Sequence, residues 1–317
     1  MTSMHRKVIR IGFGLTGRVA PRLAGRLAFR LFRTTPSRKP ATDKARQALA
    51  NAQSTLARAD RVTLPIGSGA VVAYAFAPFS GRTGETVLVI HGWGSRTAFM
   101  LPIIEGLRAS GRTVIALDLP GHGESTGRTL DMASAVEAVD AVWRQFGPFN
   151  MIVGHSFGGA VAINAAVGSV SDMPQRKPKK LVTIAAPNAL PPVFERFADW
   201  IGLPDRGREA LFDEIHTLTG RPLTEFVGAR QLSALQLPTL VIHAHDDKEV
   251  PVDNAYGLVG AGPHVEVFWA DGYGHRRILA GRDVSQVLVD FADRPAPGPD
   301  DVAGRPFSEA RRQVTQS

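Results

Sequence analysis

The chain has 317 residues and no cysteine, so disulfide staples, thiolate nucleophiles and cysteine-based zinc sites are excluded. An apolar share of 44% with 21% charged residues suits a globular chain with a sizeable core. The net charge of +8 is unevenly spread: residues 1–50 hold twelve Lys/Arg against one acid, Asp43, which leaves −3 for the remainder.

The first stretch to weigh is VIRIGFGLTGRVA, Val8 to Ala20, whose Gly12, Gly14 and Gly17 match G-x-G-x-x-G. A dinucleotide site needs a strand before the glycines, a helix after them and an acid about twenty residues on. Arg10 interrupts the short leading run, and RTTPSRKP at 33–40 holds neither strand nor acid. No nicotinamide cofactor is expected, and no other cofactor or metal is called for.

Arg18, Arg22, Arg26 and Arg30 recur every four residues, with Val19, Leu23 and Leu27 one position later. This predicts a basic amphipathic helix within an arm over 1–50, of the kind that lies on an anionic lipid surface or docks on the protein's own body. Its longest uncharged run, Ile11 to Gly17, is seven residues, too short to cross a bilayer. Arg10 and Arg18 bracket that run too closely for a signal-peptide core. The expectation is a cytoplasmic protein, with residues 6–46 a candidate for peripheral contact with the inner face of an anionic membrane. Nucleic acid is not an expected partner, since no interleaved Tyr, Trp or His offers stacking surfaces. Oligomeric state has no sequence signal.

From Arg61 onward short apolar runs alternate with helical stretches. RVTLPIGSGAVVAYAFAP reads as two strands turning at Gly67–Gly69, and TVLVIHGWG as a buried parallel strand. A helix around 98–110 leads to TVIALDLPGHG, another strand. Met132, Val136, Val139, Val142 and Phe146 then repeat at helical spacing. NMIVGHSFGGAVAINAAV gives strand, tight turn and helix; KKLVTIAAP, TLVIHAHDD and HVEVFWADGYGH give three more strands, and VSQVLVDFA a last helix. This alternation predicts an α/β fold with a mostly parallel, doubly wound sheet. Two regions break the rhythm: a helical insertion at about 188–236, and a Pro/Gly-rich segment over 294–317 that reads as a flexible tail.

The strongest chemical signal is GHSFGG, Gly154 to Gly159, between an apolar strand and a helix. G-x-S-x-G in that setting forces the serine into a sharp strand-to-helix turn, with Gly154 and Gly158 where side chains would collide. A hydroxyl of ordinary acidity needs a base, and the base an orienting acid. His275, just past the last strand, lies at the edge where Ser156 projects. His91 and His122 read as loop supports, His243 as core packing, and His155 as turned elsewhere by the bend. Asp246, Asp247 and Glu249 follow the penultimate strand and are the candidate acids. Two backbone N–H groups are needed for an oxyanion hole. Phe157 offers one at the helix start, and Trp93 in HGWG, with His91 and Gly92 before it, offers the other.

Five motifs in order now resemble the α/β-hydrolase superfamily: HGWG at 91–94, DLPGHGES at 118–125, GHSFGG, D-x-x-V-P at 247–251 and G-x-G-H at 272–275. The resemblance covers about 61–293 and implies an α/β-hydrolase sheet with a helical lid at 188–236. It implies Ser156 as nucleophile, His275 as base, Asp247 as acid, and Trp93 and Phe157 as oxyanion donors. Ala244–His245 departs from the glycine-led loop common in relatives and bears on the choice between Asp246 and Asp247. The expected reaction is hydrolysis of a carboxylic ester or related acyl bond in a small-molecule substrate, through an acyl-enzyme. The alternatives are a thioesterase or acyltransferase with the same triad, or a non-catalytic or membrane-associated scaffold on this fold.

Overall fold

Uninterrupted apolar runs make strands buried on both faces, and these set the architecture. In the computed structural model, which describes residues 3–81 and 83–295, the chain opens with three helices, α1 (Ser3–Val19), α2 (Pro21–Arg33) and α3 (Asp43–Leu56). There follow β1 (Asp60–Ile66), β2 (Gly69–Phe76), β3 (Thr86–Ile90), α4 (Leu101–Ala109), β4 (Thr113–Asp118), α5 (Met132–Phe146), β5 (Met151–His155), α6 (Phe157–Val167) and β6 (Lys180–Ile184). Next come α7 (Pro191–Ile201), α8 (Asp205–Thr219) and α9 (Gly228–Leu235). The chain then runs through β7 (Thr239–His243), α10 (Asp253–Val259), β8 (Val265–Trp269), α11 (Gly274–Arg277) and α12 (Arg282–Asp293).

The eight strands form one sheet in the order β1-β2-β4-β3-β5-β6-β7-β8. β1, β2 and β4 pair antiparallel at one edge, and β3 to β8 run parallel. Alternate residues serve opposite faces, as the two-residue strand period requires. Leu88, Ile90, Ile115, Leu117 and Ile152 join one core with α5 and α6, whereas Val87, Val89, Val114, Met151 and Val153 join the other with α4 and α12. The insertion expected at 188–236 contains α7, α8 and α9, set between β6 and β7 over the first of these cores. The tail expected over 294–317 lies, beyond Pro295, outside the described residues.

The amino-terminal region departs from the simplest reading of an appended arm. The glycines of the G-x-G-x-x-G match sit inside α1, with no strand before them. Helicity also continues past residue 50, since α3 runs to Leu56 and buries Ala52 against the second core. α2 lies on α8 through small residues: Ala24 and Ala28 are fully buried, and a Cβ on Gly25 would stand 2.6 Å from the Ala210 carbonyl carbon. That contact is backbone against side-chain-free backbone, which only glycine permits. Arg10 donates to the carbonyls of Asp199 and Trp200, and the Leu130 amide donates to the Arg33 carbonyl. One side of the arm is therefore docked on the body of the protein.

Candidate active site

β5 ends and α6 begins around one residue. Ser156 has φ 53° and ψ −124°, a conformation that L side chains rarely adopt. The glycines on either side permit it. A Cβ on Gly154 would lie 2.3 Å from the Gly158 carbonyl oxygen, and one on Gly158 would lie 2.5 Å from the carbonyl oxygens of Ile90 and His91. The turn lifts the hydroxyl out of the carboxyl edge of the sheet, at the amino end of α6 where developing negative charge is favoured.

The loops after β7 and β8 meet this serine. His275 Nε2 is 3.1 Å from Ser156 Oγ, and His275 Nδ1 is 2.7 Å from Asp247 Oδ2. With Nδ1–H donating to the carboxylate, Nε2 is left as the acceptor facing the hydroxyl. Asp247 Oδ1 accepts the amides of Glu249 at 2.8 Å and Val250 at 2.9 Å. Burial acts to raise the pKa of this carboxyl, but the bonds from His275, Val250 and Glu249 outweigh it and hold the group below its ordinary value. Asp246 has a different place: it accepts the Gly272 amide and does not reach His275. Ala244–His245 does not displace Asp247, because His245 turns outward to Asp271 and Tyr256.

The HGWG loop comes close to the serine, since a Cβ on Gly92 would lie 2.8 Å from Ser156 Cβ. The Phe157 amide is the first of α6, and the Trp93 amide makes no hydrogen bond among the described residues. His91 Nε2 accepts the Leu119 amide while Nδ1–H donates to the Gly92 carbonyl. His122 Nε2 accepts the Gly94 amide while Nδ1–H donates to the Pro120 carbonyl. Both are neutral rings, since burial lowers the His91 pKa and brings that of His122 to about 4. Asp118, at the end of β4, accepts the amides of Thr97 and Glu124 and ties the DLPGHGES loop to its neighbours.

Two histidines have contacts the sequence did not suggest. His155 donates from Nε2 to the His275 carbonyl at 2.9 Å, with the two rings 4.9 Å apart. His243 donates from Nε2 to the Val250 carbonyl at 3.0 Å, bracing the loop whose amides hold Asp247. Each is the last residue of a fully buried parallel strand, at the carboxyl edge that carries the site. A titratable residue closing such a strand was the available signal. Glu249, a candidate acid by its place after β7, pairs instead with Arg276, and its Oε2 stands 4.0 Å from His275 Nε2.

Ser156 opens into a cavity of about 470 Å³ with walls that are mostly aromatic and aliphatic, among them Trp93, Phe157, Leu190, Phe194 and Phe226. The helices α7 and α8 form much of it. So does α2, through Phe29, Leu31 and Phe32. Phe32 packs against Phe194 with ring centroids 4.1 Å apart and against Phe197 at 5.0 Å.

Sheet order, elbow and cavity define a hydrolase-type α/β protein, and comparison with known proteins makes the class specific. The profile of the alpha/beta hydrolase family matches residues 87–291, so the chain belongs to that family and is an enzyme of the hydrolase class. Among curated proteins it is similar to the pimeloyl-[acyl-carrier protein] methyl ester esterase of Xanthomonas campestris pv. campestris, 28% identical over 66% of this chain and 95% of that protein. It is also similar to protein phosphatase methylesterase 1 of Bos taurus, 35% identical over 27% of this chain and 25% of that protein. Among solved structures, an esterase of Pyrococcus furiosus superposes with a TM-score of 0.57 at 18% identity, covering 84% of this chain and 99% of the other. A bromoperoxidase of Bacillus anthracis superposes with a TM-score of 0.55 at 17% identity over 74% and 100%. No helix among the described residues is long and apolar enough to cross a membrane.

Proposed function

We propose that this chain is a serine hydrolase of carboxylic esters, with Ser156 as nucleophile, His275 as general base and acid, and Asp247 as the acid that orients it. The observation that carries this reading is the unbroken relay from Ser156 Oγ to His275 at 3.1 Å and from His275 to Asp247 at 2.7 Å. Ser156 Oγ attacks the ester carbonyl as its proton passes to His275 Nε2. The tetrahedral oxygen is held by the amides of Trp93 and Phe157. Collapse breaks the bond to the alkoxy group, which leaves as an alcohol with the proton from His275. Water then gives a proton to the same nitrogen and attacks the acyl carbonyl; collapse breaks the bond to Ser156 Oγ, which takes the proton back from His275 as the carboxylic acid leaves.

The acyl group lies in the apolar cavity, and α7–α9 act as the lid that shapes substrate choice. The methyl ester esterases among the relatives favour an ester with a small alcohol and a larger acyl part. Peripheral contact of residues 6–46 with an anionic membrane belongs to the same reading, supported by the arm's exposed aliphatic and basic residues.

p-Nitrophenyl esters of graded chain length, given to wild type and Ser156→Ala, test the assignment. Wild type is expected to turn them over, with the variant slower by about 10⁶-fold in kcat, as for other serine nucleophiles. Equal turnover by both proteins would sink it. Labelling of Ser156 by a fluorophosphonate separates this reading from a non-catalytic scaffold.

A further inference from the structure

The amino-terminal helices are apolar on two sides. Ala24, Ala28 and Phe29 of α2 are buried on the body, while aliphatic residues at steps of three or four (Val8, Ile11, Leu15, Val19, Leu23, Leu27) face solvent. Their exposure runs from 43% at Leu27 to 86% at Val19. A helix apolar on one side needs one partner; apolar on two sides, it is built for two. Of the eleven large hydrophobic residues exposed among the described ones, these six and Leu31 lie on the arm, and Trp93 and Leu218 lie on the cavity wall. Leu31 belongs to both sets, because it is exposed and also lines the cavity. The exposed apolar surface is therefore continuous with the cavity that holds Ser156.

The charges beside it select the partner. Lys7, Arg10, Arg18, Arg22, Arg26 and Arg30 each immediately precede one of the aliphatic residues, and all six are exposed. Arg18, Arg22 and Arg30 have no carboxylate within 4.0 Å among the described residues, and Arg26 reaches Glu214 only at 3.6 Å. Aliphatic side chains flanked by exposed cations, three of them (Arg18, Arg22 and Arg30) with no carboxylate partner among the described residues, match a layer with anionic headgroups over hydrocarbon. A second copy of the chain would bring the same cations face to face.

We propose that the α1–α2 arm seats the cavity mouth on an anionic lipid surface, and that the substrate is a lipid-borne acyl ester reaching Ser156 past Leu31 and Phe32. The proposal rests on the esterase reading for its chemistry and on the arm for its partner. On the inner side of α2, Phe29 and Phe32 hold the acyl chain; on the outer side, Leu15 and Leu23 enter the headgroup layer.

Cosedimentation tests the docking, with vesicles of phosphatidylcholine alone or mixed with phosphatidylglycerol. Wild type and Ser156→Ala are expected to pellet with the mixed vesicles and stay in solution with the neutral ones. The double variant Leu15→Asp/Leu23→Asp is expected to lose pelleting by tenfold or more. That variant should keep its melting temperature and its turnover of soluble p-nitrophenyl butyrate. Its hydrolysis of a long-chain acyl ester carried in the mixed vesicles should fall by at least tenfold. Wild type left in the supernatant, equal pelleting of the double variant, or wild-type binding without cleavage of the vesicle-borne ester each overturns the proposal. So does a halving of the particle mass in the double variant, which would make this surface an interface between copies. Failure of Ser156→Ala to slow butyrate hydrolysis overturns the esterase reading instead, and pelleting by Ser156→Ala shows whether docking survives it.

Discussion

His155 and His243 end neighbouring regions of the sheet's carboxyl edge, and each donates to a carbonyl of a loop that carries a member of the hydrogen-bonded set Ser156, His275 and Asp247. Neither touches the reacting hydroxyl, so on the proposed mechanism both are positioning residues. Replacing His155 by Leu removes the donor to the His275 carbonyl and lets the imidazole drift from Ser156. A displacement of about 1 Å at a reacting group is worth roughly 10² in rate, so kcat should fall by that order with KM held. A KM rise with unchanged kcat would mean that His155 shapes the cavity instead. Asp247→Asn has a larger expected effect: the amide no longer fixes the Nδ1–H form of His275, and kcat should drop about 10⁴-fold. Asp246→Asn, which alters only the bond to the Gly272 amide, serves as the matched control in the same assay. At this scale the five motifs made Ser156, His275 and the two adjacent aspartates legible as candidates. What the residues alone left open was which carboxylate turns inward, because that depends on the amides of Glu249 and Val250 closing around one of them.

Among the elements, those buried on both sides were the most readable, since an apolar run of five has few other places to go. The central strands β5, β6 and β7 are built on apolar residues and buried at all five positions, and their ends place the loops that carry Ser156 and Asp247. The docking of α2 was not readable in the same way. Amphipathic spacing marks which side of a helix is apolar, but Gly25 meets Ala210 across a separation of 185 residues, and that partner has no local signature. Glycine spacing misleads for the same reason: in α1 it serves no phosphate loop, and a Cβ on Gly17 would meet the Pro204 ring at 2.5 Å. Gly25→Leu tests the element directly. The side chain has no room against the α8 backbone, so α2 must lift, at a cost of about 1–3 kcal/mol by analogy with overpacked cores. Phe29 and Phe32 would leave the cavity wall with it. The expected result is a lower melting temperature together with a loss of preference for longer acyl chains, while the shortest esters are still cleaved. An unchanged chain-length profile would show that α2 does not contribute to substrate binding.

For the molecule as a whole, buried neutral histidines set the response to acid. Burial is the main cause of the depressed pKa of His155, about 4, with the nearby His275 adding to it, and of that of His122, also about 4. Burial likewise lowers His91 and His243. In the unfolded chain each ring has an ordinary value near 6.5. Between pH 6.5 and 4 the unfolded state therefore binds more protons than the folded one, and stability rises with pH across that window. The contribution is fully present above about 6.5 and is lost as pH falls toward 4. Each of the two rings with a value near 4 accounts for about 3 kcal/mol over the full span. Asp247 adds to the loss at still lower pH, because its folded pKa lies below its ordinary value and protonation breaks its bonds to His275, Val250 and Glu249. Melting temperatures measured from pH 8 to pH 4 should be flat down to about 6.5 and then fall steeply. His122→Gln keeps an acceptor for the Gly94 amide without a titrating ring. It should show a shallower decline over pH 6.5–4, and the same slope as wild type would remove His122 from the account. Activity supplies an independent check, since acid loss of fold must carry hydrolase activity down with it over the same pH window as the melting temperature.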